Sequence, residues 1–231
     1  MRWICALVLL GLVGCRVLWP VEPMLPTSVG PALPILVNLE AEVLWPTVQL
    51  QVQEGPWATG VIVGWDGATA RILSAAHVFE GYQERSVTIY VIEPAPWAFE
   101  ANLVWRAGEV DLALLEGEPA PGLIPHVAPL YPHGGAAGVQ RFNPVIGVGS
   151  RPGLQQLWPT AGWIAQVEPS ALVTSITWFG ASGGPIFVKQ EGYWKVWAVT
   201  SGLSLTTGHG VSSWLTNIVY VVPVGGWVGD G

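Results

Sequence analysis

Short apolar runs separated by glycine and proline dominate the chain from about residue 43 to residue 224. No long stretch shows the 3.6-residue period of an amphipathic helix, which argues against a helical bundle. Short β-rich runs at regular spacing predict antiparallel sheets that close into barrels or pack as sandwiches. The predicted strands cover residues 48–52, 60–64, 70–74, 86–92, 102–105, 112–115, 145–148, 162–167, 171–176, 185–188, 194–199, 211–214 and 218–222.

A segment rich in proline and glycine, residues 117–138, divides the predicted strands into two groups. We interpret it as the connection, over about 117–140, between two halves of about six strands each. The first half covers about residues 43–120 and the second about 141–224. No clear sequence repeat relates the halves. A cleft between two barrels can collect reactive side chains from both, so such an architecture favours a site between them.

The N-terminal segment has the pattern of an export signal. Residues 3–15 form an apolar run of 13 between Arg2 and Arg16, too short for a helix to span a bilayer of about 30 Å. The run matches the central stretch of a secretory signal. Its end, Leu12-Val13-Gly14-Cys15, resembles a bacterial lipoprotein signal box, in which Cys15 would be lipidated and become the mature N-terminus. A plain signal peptide or a short anchor is the alternative for residues 1–15. We therefore expect an exported protein that is either membrane-tethered or secreted, for example periplasmic.

A linker and a single domain follow this segment. Residues 16–42 contain five prolines and few charges, which predicts an extended linker. Residues 43–231 then form the folded domain, and we expect no peptide-binding module after its last strand. The two cysteines, Cys5 and Cys15, both precede the linker, so neither a disulfide framework nor a cysteine metal site is expected in the domain.

Composition narrows the function classes further. Hydrophobic residues make up 51% and charged residues 11% of the 231 residues, which excludes intrinsic disorder. The net charge of −7, with seven arginines and two lysines, argues against a nucleic-acid partner. His126, His133 and His209 have no metal-ligand spacing. We expect no metal or other cofactor, and we expect a protein or peptide as the partner.

Three short segments carry candidate chemistry. His77 follows a predicted strand in Ser74-Ala75-Ala76-His77. Asp111 begins the apolar run Asp111-Leu112-Ala113-Leu114-Leu115. Ser182 lies between glycines in Gly180-Ala181-Ser182-Gly183-Gly184-Pro185, a tight turn whose backbone N–H groups can face a ligand.

This set of side chains suits acyl transfer. A serine hydroxyl such as that of Ser182 needs a neighbouring imidazole to remove its proton, and His77 supplies one. A carboxylate, here Asp111, fixes the imidazole tautomer and stabilises the imidazolium. The backbone N–H groups of Gly180 and Ser182 are the candidate oxyanion hole.

Together these motifs resemble those of the trypsin/chymotrypsin-like serine proteases. The order His, Asp, Ser is that family's order, and 34 and 71 positions separate His77, Asp111 and Ser182. The resemblance covers roughly residues 48–224. Residues 58–63 and 148–154 look most like the bacterial Deg/HtrA branch. The resemblance implies two six-stranded antiparallel β-barrels, an active site in the cleft between them, and a serine endopeptidase activity.

Departures from the family pattern bear on regulation. The residue before Ser182 is Ala181, where digestive and clotting enzymes carry an aspartate that pairs with a newly cut N-terminus. We therefore expect no activation by N-terminal cleavage.

Specificity is also an expectation from the resemblance. The primary pocket would involve Ile176, Thr200, Ser201 and Gly202, with a further wall from residues 210–213. All are neutral, so cleavage after a small or medium apolar residue is expected rather than after Arg or Lys. Ser201 or Thr200 would hydrogen-bond Asp111.

Two alternatives stay open. One is a viral polyprotein-processing protease, whose apolar N-terminus would be a membrane anchor. The other is a binding module that keeps the protease fold without turnover. The intact set of His77, Asp111 and Ser182 argues against the latter.

Overall fold

The computed structural model describes residues 39–82, 86–107, 110–132, 139–167, 171–174, 180–208 and 211–224. For residues 172, 174, 203–208 and 211–220 the description covers the backbone alone. The predicted export signal, Cys15 and most of the predicted linker lie outside the described residues. Within the described ranges, no helix is both long and apolar enough to cross a membrane.

The first barrel closes through six antiparallel strands in the order β1-β2-β3-β6-β5-β4. Burial alternates along β4, where Val87, Ile89 and Val91 are buried, so this strand has one core-facing side. Residues such as Leu50, Ile72 and Phe79 fill the interior. The strands are β1 (Thr47–Val52), β2 (Trp57–Trp65), β3 (Ala70–Ser74), β4 (Val87–Val91), β5 (Trp97–Arg106) and β6 (Ala113–Gly117).

The second barrel repeats that topology, with the order β7-β8-β9-β12-β11-β10 and antiparallel pairing throughout. Ile164, Ile186 and Trp197 lie in its core. The predicted all-β class with two six-stranded antiparallel barrels is confirmed. The strands are β7 (Pro144–Arg151), β8 (Leu154–Gln166), β9 (Leu172–Thr174), β10 (Pro185–Gln190), β11 (Tyr193–Gly208) and β12 (Val211–Pro223).

One strand prediction is wrong. Residues 211–214 and 218–222 belong to a single strand, β12, rather than to two. The partner register jumps there, because Leu203 pairs with Val219 whereas Ser204 pairs with Leu215. The polar residues that interrupt the apolar run therefore lie in a bulge of a continuing strand.

Two short helices accompany the strands. A π-helix, Glu40–Leu44, precedes β1, and a 3-10 helix, Ala76–Phe79, follows β3. In the π-helix Val43 is buried, and Glu42 accepts a hydrogen bond of 2.8 Å from the backbone N–H of Trp194. The residues just before β1 thus pack against the second barrel.

An apolar interface joins the barrels. Val61, Leu73 and Leu112 of the first barrel share one buried cluster with Phe187 and Val199 of the second. Burial of this apolar surface fixes the barrels against each other.

The connecting segment contacts both barrels. The N–H of Ala128 donates to the carbonyl of Ile62 at 2.9 Å, and the N–H of Val196 donates to the carbonyl of Pro129 at 2.9 Å. Leu130 forms a parallel bridge with Val196. These bonds tie the connecting segment to β2 of the first barrel and to β11 of the second.

Candidate active site

His77 lies on the 3-10 helix directly after β3. Its neighbours Ala76, Val78 and Phe79 are buried, and they anchor this single turn in the first barrel. His77 is left on the open side, with 40% of its side chain exposed. The helix therefore presents an imidazole at the barrel edge on a rigid base.

Asp111 holds that imidazole at two points. Its Oδ1 accepts the backbone N–H of His77 at 2.7 Å, and its Oδ2 lies 2.7 Å from the ring Nδ1. A carboxylate only accepts hydrogen bonds, so Nδ1 carries the hydrogen and Nε2 keeps a free lone pair. Leu112, next in the chain, is buried and anchors Asp111.

A bulge in β11 adds a third contact to Asp111. Thr200 pairs with Val221 and Gly202 pairs with Tyr220, so Ser201 falls outside the register. The Ser201 hydroxyl donates to Asp111 Oδ2 at 2.5 Å. Of the two candidates for this bond, the residue that forms it is Ser201 and not Thr200.

These contacts shift both ionisable groups toward their charged forms. The hydrogen bond that the His77 ring donates to Asp111 raises the pKa of His77 from its ordinary value of 6.5. Burial opposes this shift, and the charges of Asp111 and Glu80 add to it. For Asp111, burial raises the pKa, but the hydrogen bonds from the His77 ring, Ser201 and the His77 N–H together lower it below 3.8. The carboxylate is therefore ionised across the neutral range.

The turn that carries Ser182 packs against the first barrel. The N–H of Thr59 donates to the Ser182 carbonyl at 2.9 Å. Gly183 has φ +79°, and a Cβ there would lie 2.1 Å from Ser74 Oγ and 2.7 Å from the backbone nitrogen of Ala75. Only glycine fits, and the turn thereby touches the residues that lead directly to His77.

Thr200 ties the same turn to β11. Its carbonyl accepts the N–H of Gly183 at 2.7 Å, and its N–H donates to the carbonyl of Gly184 at 2.8 Å. Since Ser201 contacts Asp111, adjacent residues of one strand connect the Ser182 turn to the Asp111–His77 pair.

The hydrogen bond expected between the proposed base, His77, and the proposed nucleophile, Ser182, is not present among the described residues. In the described part of the chain, no hydrogen bond joins the His77 ring to the Ser182 hydroxyl, and no acceptor takes the N–H of Gly180 or Ser182. The structure thus brings Asp111, His77 and Ser201 into direct contact, and it packs the Ser182 turn against Ser74 and Ala75, which lead to His77. Contacts between nucleophile and base are often loose in free enzymes.

A profile of the trypsin-like peptidase domain matches residues 58–198, a range that includes His77, Asp111 and Ser182. The chain belongs to the trypsin-like peptidase family. No curated protein sequence matches it.

Solved structures of this trypsin-like fold include two of Rv3671c and one of Deg5. Rv3671c from M. tuberculosis H37Rv, as a serine-to-alanine variant in an inactive form, is 21% identical, with a TM-score of 0.58 and 85% of this chain and 90% of that chain covered. An inactive form of the Rv3671c protease is 21% identical, with a TM-score of 0.58, and the match covers 82% of this chain and 90% of that chain. Deg5 is 15% identical, with a TM-score of 0.60, and the match covers 82% of this chain and 88% of that chain. At these identities the likeness shows the fold.

The predicted substrate pocket of this trypsin-like peptidase is only partly described. Thr200 bonds to the Ser182 turn, Ser201 bonds to Asp111, and Gly202 follows them in β11, whereas Ile176 lies outside the described residues. Of the expected wall, residue 210 lies outside the described residues, and residues 211–213 pair through their backbones with Thr206–Gly208, so this wall stays a prediction. The β12 residues opposite Thr200 and Gly202 are Val221 and Tyr220.

Two buried polar residues near the site escaped the sequence analysis. Thr59 and Ser150 are fully buried, and the Thr59 hydroxyl donates to the carbonyl of Gly180 at 2.7 Å. In the sequence, Thr59 is one small polar residue in a strand, and no spacing relates it to Gly180. Only its burial identifies it.

Of the three histidines outside the motifs, one lies among the described residues. Among the residues that the structure describes, no group of three or more His, Cys, Asp or Glu side chains could hold a metal ion. The ring of His126 instead packs against Trp45, with centroids 4.6 Å apart. His133 and His209 lie outside the described residues.

Proposed function

We propose that the protein is a serine endopeptidase that hydrolyses peptide bonds through an acyl-enzyme. In this proposal Ser182 is the nucleophile, His77 is the general base and then the general acid, and Asp111 orients His77. The two-point contact of Asp111 with His77, at 2.7 Å on both the ring and the backbone, carries the proposal. It fixes the tautomer in which Nε2 can accept a proton.

Acylation moves one proton and breaks one bond. His77 Nε2 takes the hydroxyl proton of Ser182 as Oγ bonds to the carbonyl carbon of the substrate. The carbonyl oxygen becomes an oxyanion, which the N–H groups of Gly180 and Ser182 stabilise. When the tetrahedral intermediate collapses, the C–N bond breaks and His77 returns the proton to the leaving amine.

Deacylation repeats the sequence with water. His77 removes a proton from water, the hydroxide oxygen bonds to the acyl carbon, and the ester bond to Ser182 breaks as the proton returns to Oγ. Asp111 stays ionised throughout, which its lowered pKa favours, and it stabilises the imidazolium in both halves. The raised pKa of His77 suits a group that must hold the proton transiently.

We propose a small or medium apolar residue before the scissile bond, because Thr200, Ser201 and Gly202 offer no charge to Arg or Lys. Ala181 has no carboxylate to pair with a new N-terminus, so the proposed enzyme needs no activating cut. The proposed location outside the cytoplasm, with Cys15 as a lipid-modified tether, rests on the sequence of residues 1–15.

Active-site labelling tests the proposal directly. A fluorophosphonate probe should label the purified protein on Ser182, and labelled casein should be cleaved. Ser182→Ala should abolish labelling and lower turnover by several orders of magnitude, whereas Ser86→Ala, at the start of β4, should change neither. A chelator should have no effect on cleavage.

The opposite outcome identifies the alternative. A folded protein that neither reacts with the probe nor cleaves casein would be a binding module with a protease fold. Equal activity of the Ser182→Ala variant would reject Ser182 as the nucleophile.

A further inference from the structure

We propose that Thr59 is a positioning residue for the oxyanion-binding turn, a role that rests on the proposed function. Thr59 belongs to β2 in the first barrel, whereas the turn belongs to the second. Its hydroxyl holds the carbonyl of Gly180, which lies in the peptide unit between the two N–H groups proposed to meet the oxyanion, those of Gly180 and Ser182.

Thr59 contacts the turn on both sides of Ala181. Its hydroxyl donates to the carbonyl of Gly180 at 2.7 Å, and its backbone N–H donates to the carbonyl of Ser182 at 2.9 Å. The carbonyl between them, that of Ala181, accepts the N–H of Gly184 at 2.9 Å. All three carbonyls of the turn are therefore fixed. The Ala181 carbonyl shares its peptide plane with the N–H of Ser182, and the Gly180 carbonyl lies in the plane that joins this donor to Gly180. Holding both carbonyls therefore restricts the backbone rotations that set the direction of one proposed donor relative to the other.

Only one of these three bonds comes from a side chain. The bonds to Ala181 and Ser182 use backbone donors, which a point substitution leaves in place. The bond to Gly180 uses the Thr59 hydroxyl, so it can be removed by itself.

Two acceptors lie within reach of the Thr59 hydroxyl hydrogen, the Gly180 carbonyl at 2.7 Å and the Ser150 hydroxyl at 3.0 Å. Thr59 and Ser150 are fully buried. The Ser150 N–H donates to Thr59 Oγ1 at 2.9 Å, and the Ser150 hydroxyl, 3.0 Å from Thr59 Oγ1, donates to the carbonyl of Ala58 at 3.1 Å. The contact to the Gly180 carbonyl is the shorter of the two, so the single hydrogen of Thr59 goes to Gly180.

Close packing holds the other side of Gly180. This residue has φ +93°, and a Cβ on it would lie 2.8 Å from Pro152 Cδ and 2.9 Å from the Ser150 carbonyl oxygen. The turn is thus wedged between the end of β7 and the Thr59 hydroxyl. Removing the Thr59 hydroxyl leaves the Gly180 carbonyl without this donor, so the peptide plane between Gly180 and Ala181 can rotate.

Three variants separate positioning from general stability. Thr59→Val keeps the shape and removes the hydroxyl, and Thr59→Ser restores it. Thr47→Val is the matched control, because Thr47 is equally buried and its hydroxyl donates at 2.7 Å to the carbonyl of Val43, away from the turn. The readouts are the melting temperature and, well below it, kcat and KM on a peptide p-nitroanilide with valine before the scissile bond. The inhibition constant of the matching peptide boronic acid, a tetrahedral analogue, completes the set.

We expect Thr59→Val to lower kcat by roughly 10- to 100-fold, since small misplacement of oxyanion donors has effects of this order. KM should change little, and boronic acid affinity should fall in parallel with kcat/KM. Thr59→Ser should stay near the unaltered enzyme. Thr47→Val should lower the melting temperature without lowering kcat. If Thr59→Val does not fold, Thr59→Cys, with its weak S–H donor, should give an intermediate kcat.

Other outcomes overturn the inference. Equal kcat values for Thr59→Val and the unaltered chain, or equal losses of kcat in Thr59→Val and Thr47→Val, would reduce Thr59 to a structural residue while leaving the peptidase intact. An unaltered chain that neither reacts with a fluorophosphonate nor cleaves casein would overturn the proposed function, and the positioning role with it.

Discussion

The Ser201 hydroxyl donates a 2.5 Å hydrogen bond to Asp111, and this bond crosses from the second barrel to the first. Thr200, the residue before Ser201, accepts the N–H of Gly183 from the Ser182 turn. A continuous set of contacts therefore runs from the turn through β11 to Asp111 and on to His77. Displacing any one of these segments would therefore shift the position of the His77 imidazole.

Replacing Ser201 by alanine removes one of the donors to Asp111. The pKa of Asp111 should rise, because that hydrogen bond helps to lower it, and the His77 ring should be held less firmly. We expect kcat to fall by roughly 10-fold, the scale of one hydrogen bond to a charged group. Steady-state kinetics would show it, with Ser86→Ala as the control. An unchanged kcat would mean that Ser201 contributes only to packing.

Asp111→Asn should combine a large loss of rate with a shift in pH dependence. An amide can stabilise the wrong imidazole tautomer, and loss of the carboxylate should lower kcat by about 10⁴-fold. In the unaltered protein, activity should fall as the pH drops through the raised pKa of His77, because protonated His77 cannot accept a proton. In the variant the midpoint of this fall should move down.

The pH profile of kcat/KM and an NMR titration of the His77 ring measure this shift. Identical His77 pKa values in the two proteins would show that Asp111 does not control the charge of the ring.

Two glycine substitutions should differ strongly in their effect on stability. Gly183 and Gly192 both have positive φ, +79° and +91°, but a Cβ at Gly192 meets nothing within 4 Å, whereas one at Gly183 would meet Ser74 Oγ at 2.1 Å. Gly192→Ala should lower the free energy of unfolding by about 1 kcal/mol, for the backbone alone. Gly183→Ala adds overpacking and should lower it by at least about 3 kcal/mol. Denaturant unfolding compares the two. Equal losses would place the Ser182 turn farther from Ser74.

Activity should not depend on a free N-terminus created by cleavage. Ala181 has no charge to pair with an α-amino group, so protein with an extended or chemically blocked N-terminus should cleave casein as fast as protein with a native one. Parallel assays of the two preparations measure this. Turnover that begins only after a defined cut would contradict the expectation.

Peptide-library profiling should show preference for a small or medium apolar residue before the cleaved bond. Thr200, Ser201 and Gly202 are neutral, so a strong preference for Arg or Lys would refute the assignment of the pocket to this edge of β11.

A substitution at Gly202 gives a sharper test of the pocket, because a Cβ there meets nothing within 4 Å. Gly202→Val should leave the melting temperature unchanged and raise KM for the preferred peptides.

The strand pattern was readable because it is local. Residues 70–74 were predicted at their exact bounds, and the six strands of the first barrel follow six apolar runs. The prediction failed at β12, where Thr216 and Asn217 interrupt the apolar run within one continuing strand. A bulge is defined by the pairing with the neighbouring strand, and the residues of one strand alone do not predict that pairing. The shared topology of the two barrels was equally hidden, since different apolar side chains can fill the same positions.

By itself, the sequence determined the fold class and the three segments that hold His77, Asp111 and Ser182, because strand alternation and short motifs are written within a few neighbouring residues. Tertiary structure alone decided that Ser201 rather than Thr200 reaches Asp111, and that Thr59 faces Gly180. Those contacts join residues 90 and 121 positions apart. They depend on the register of β11 and on how the two barrels pack, which are set by burial across the whole chain.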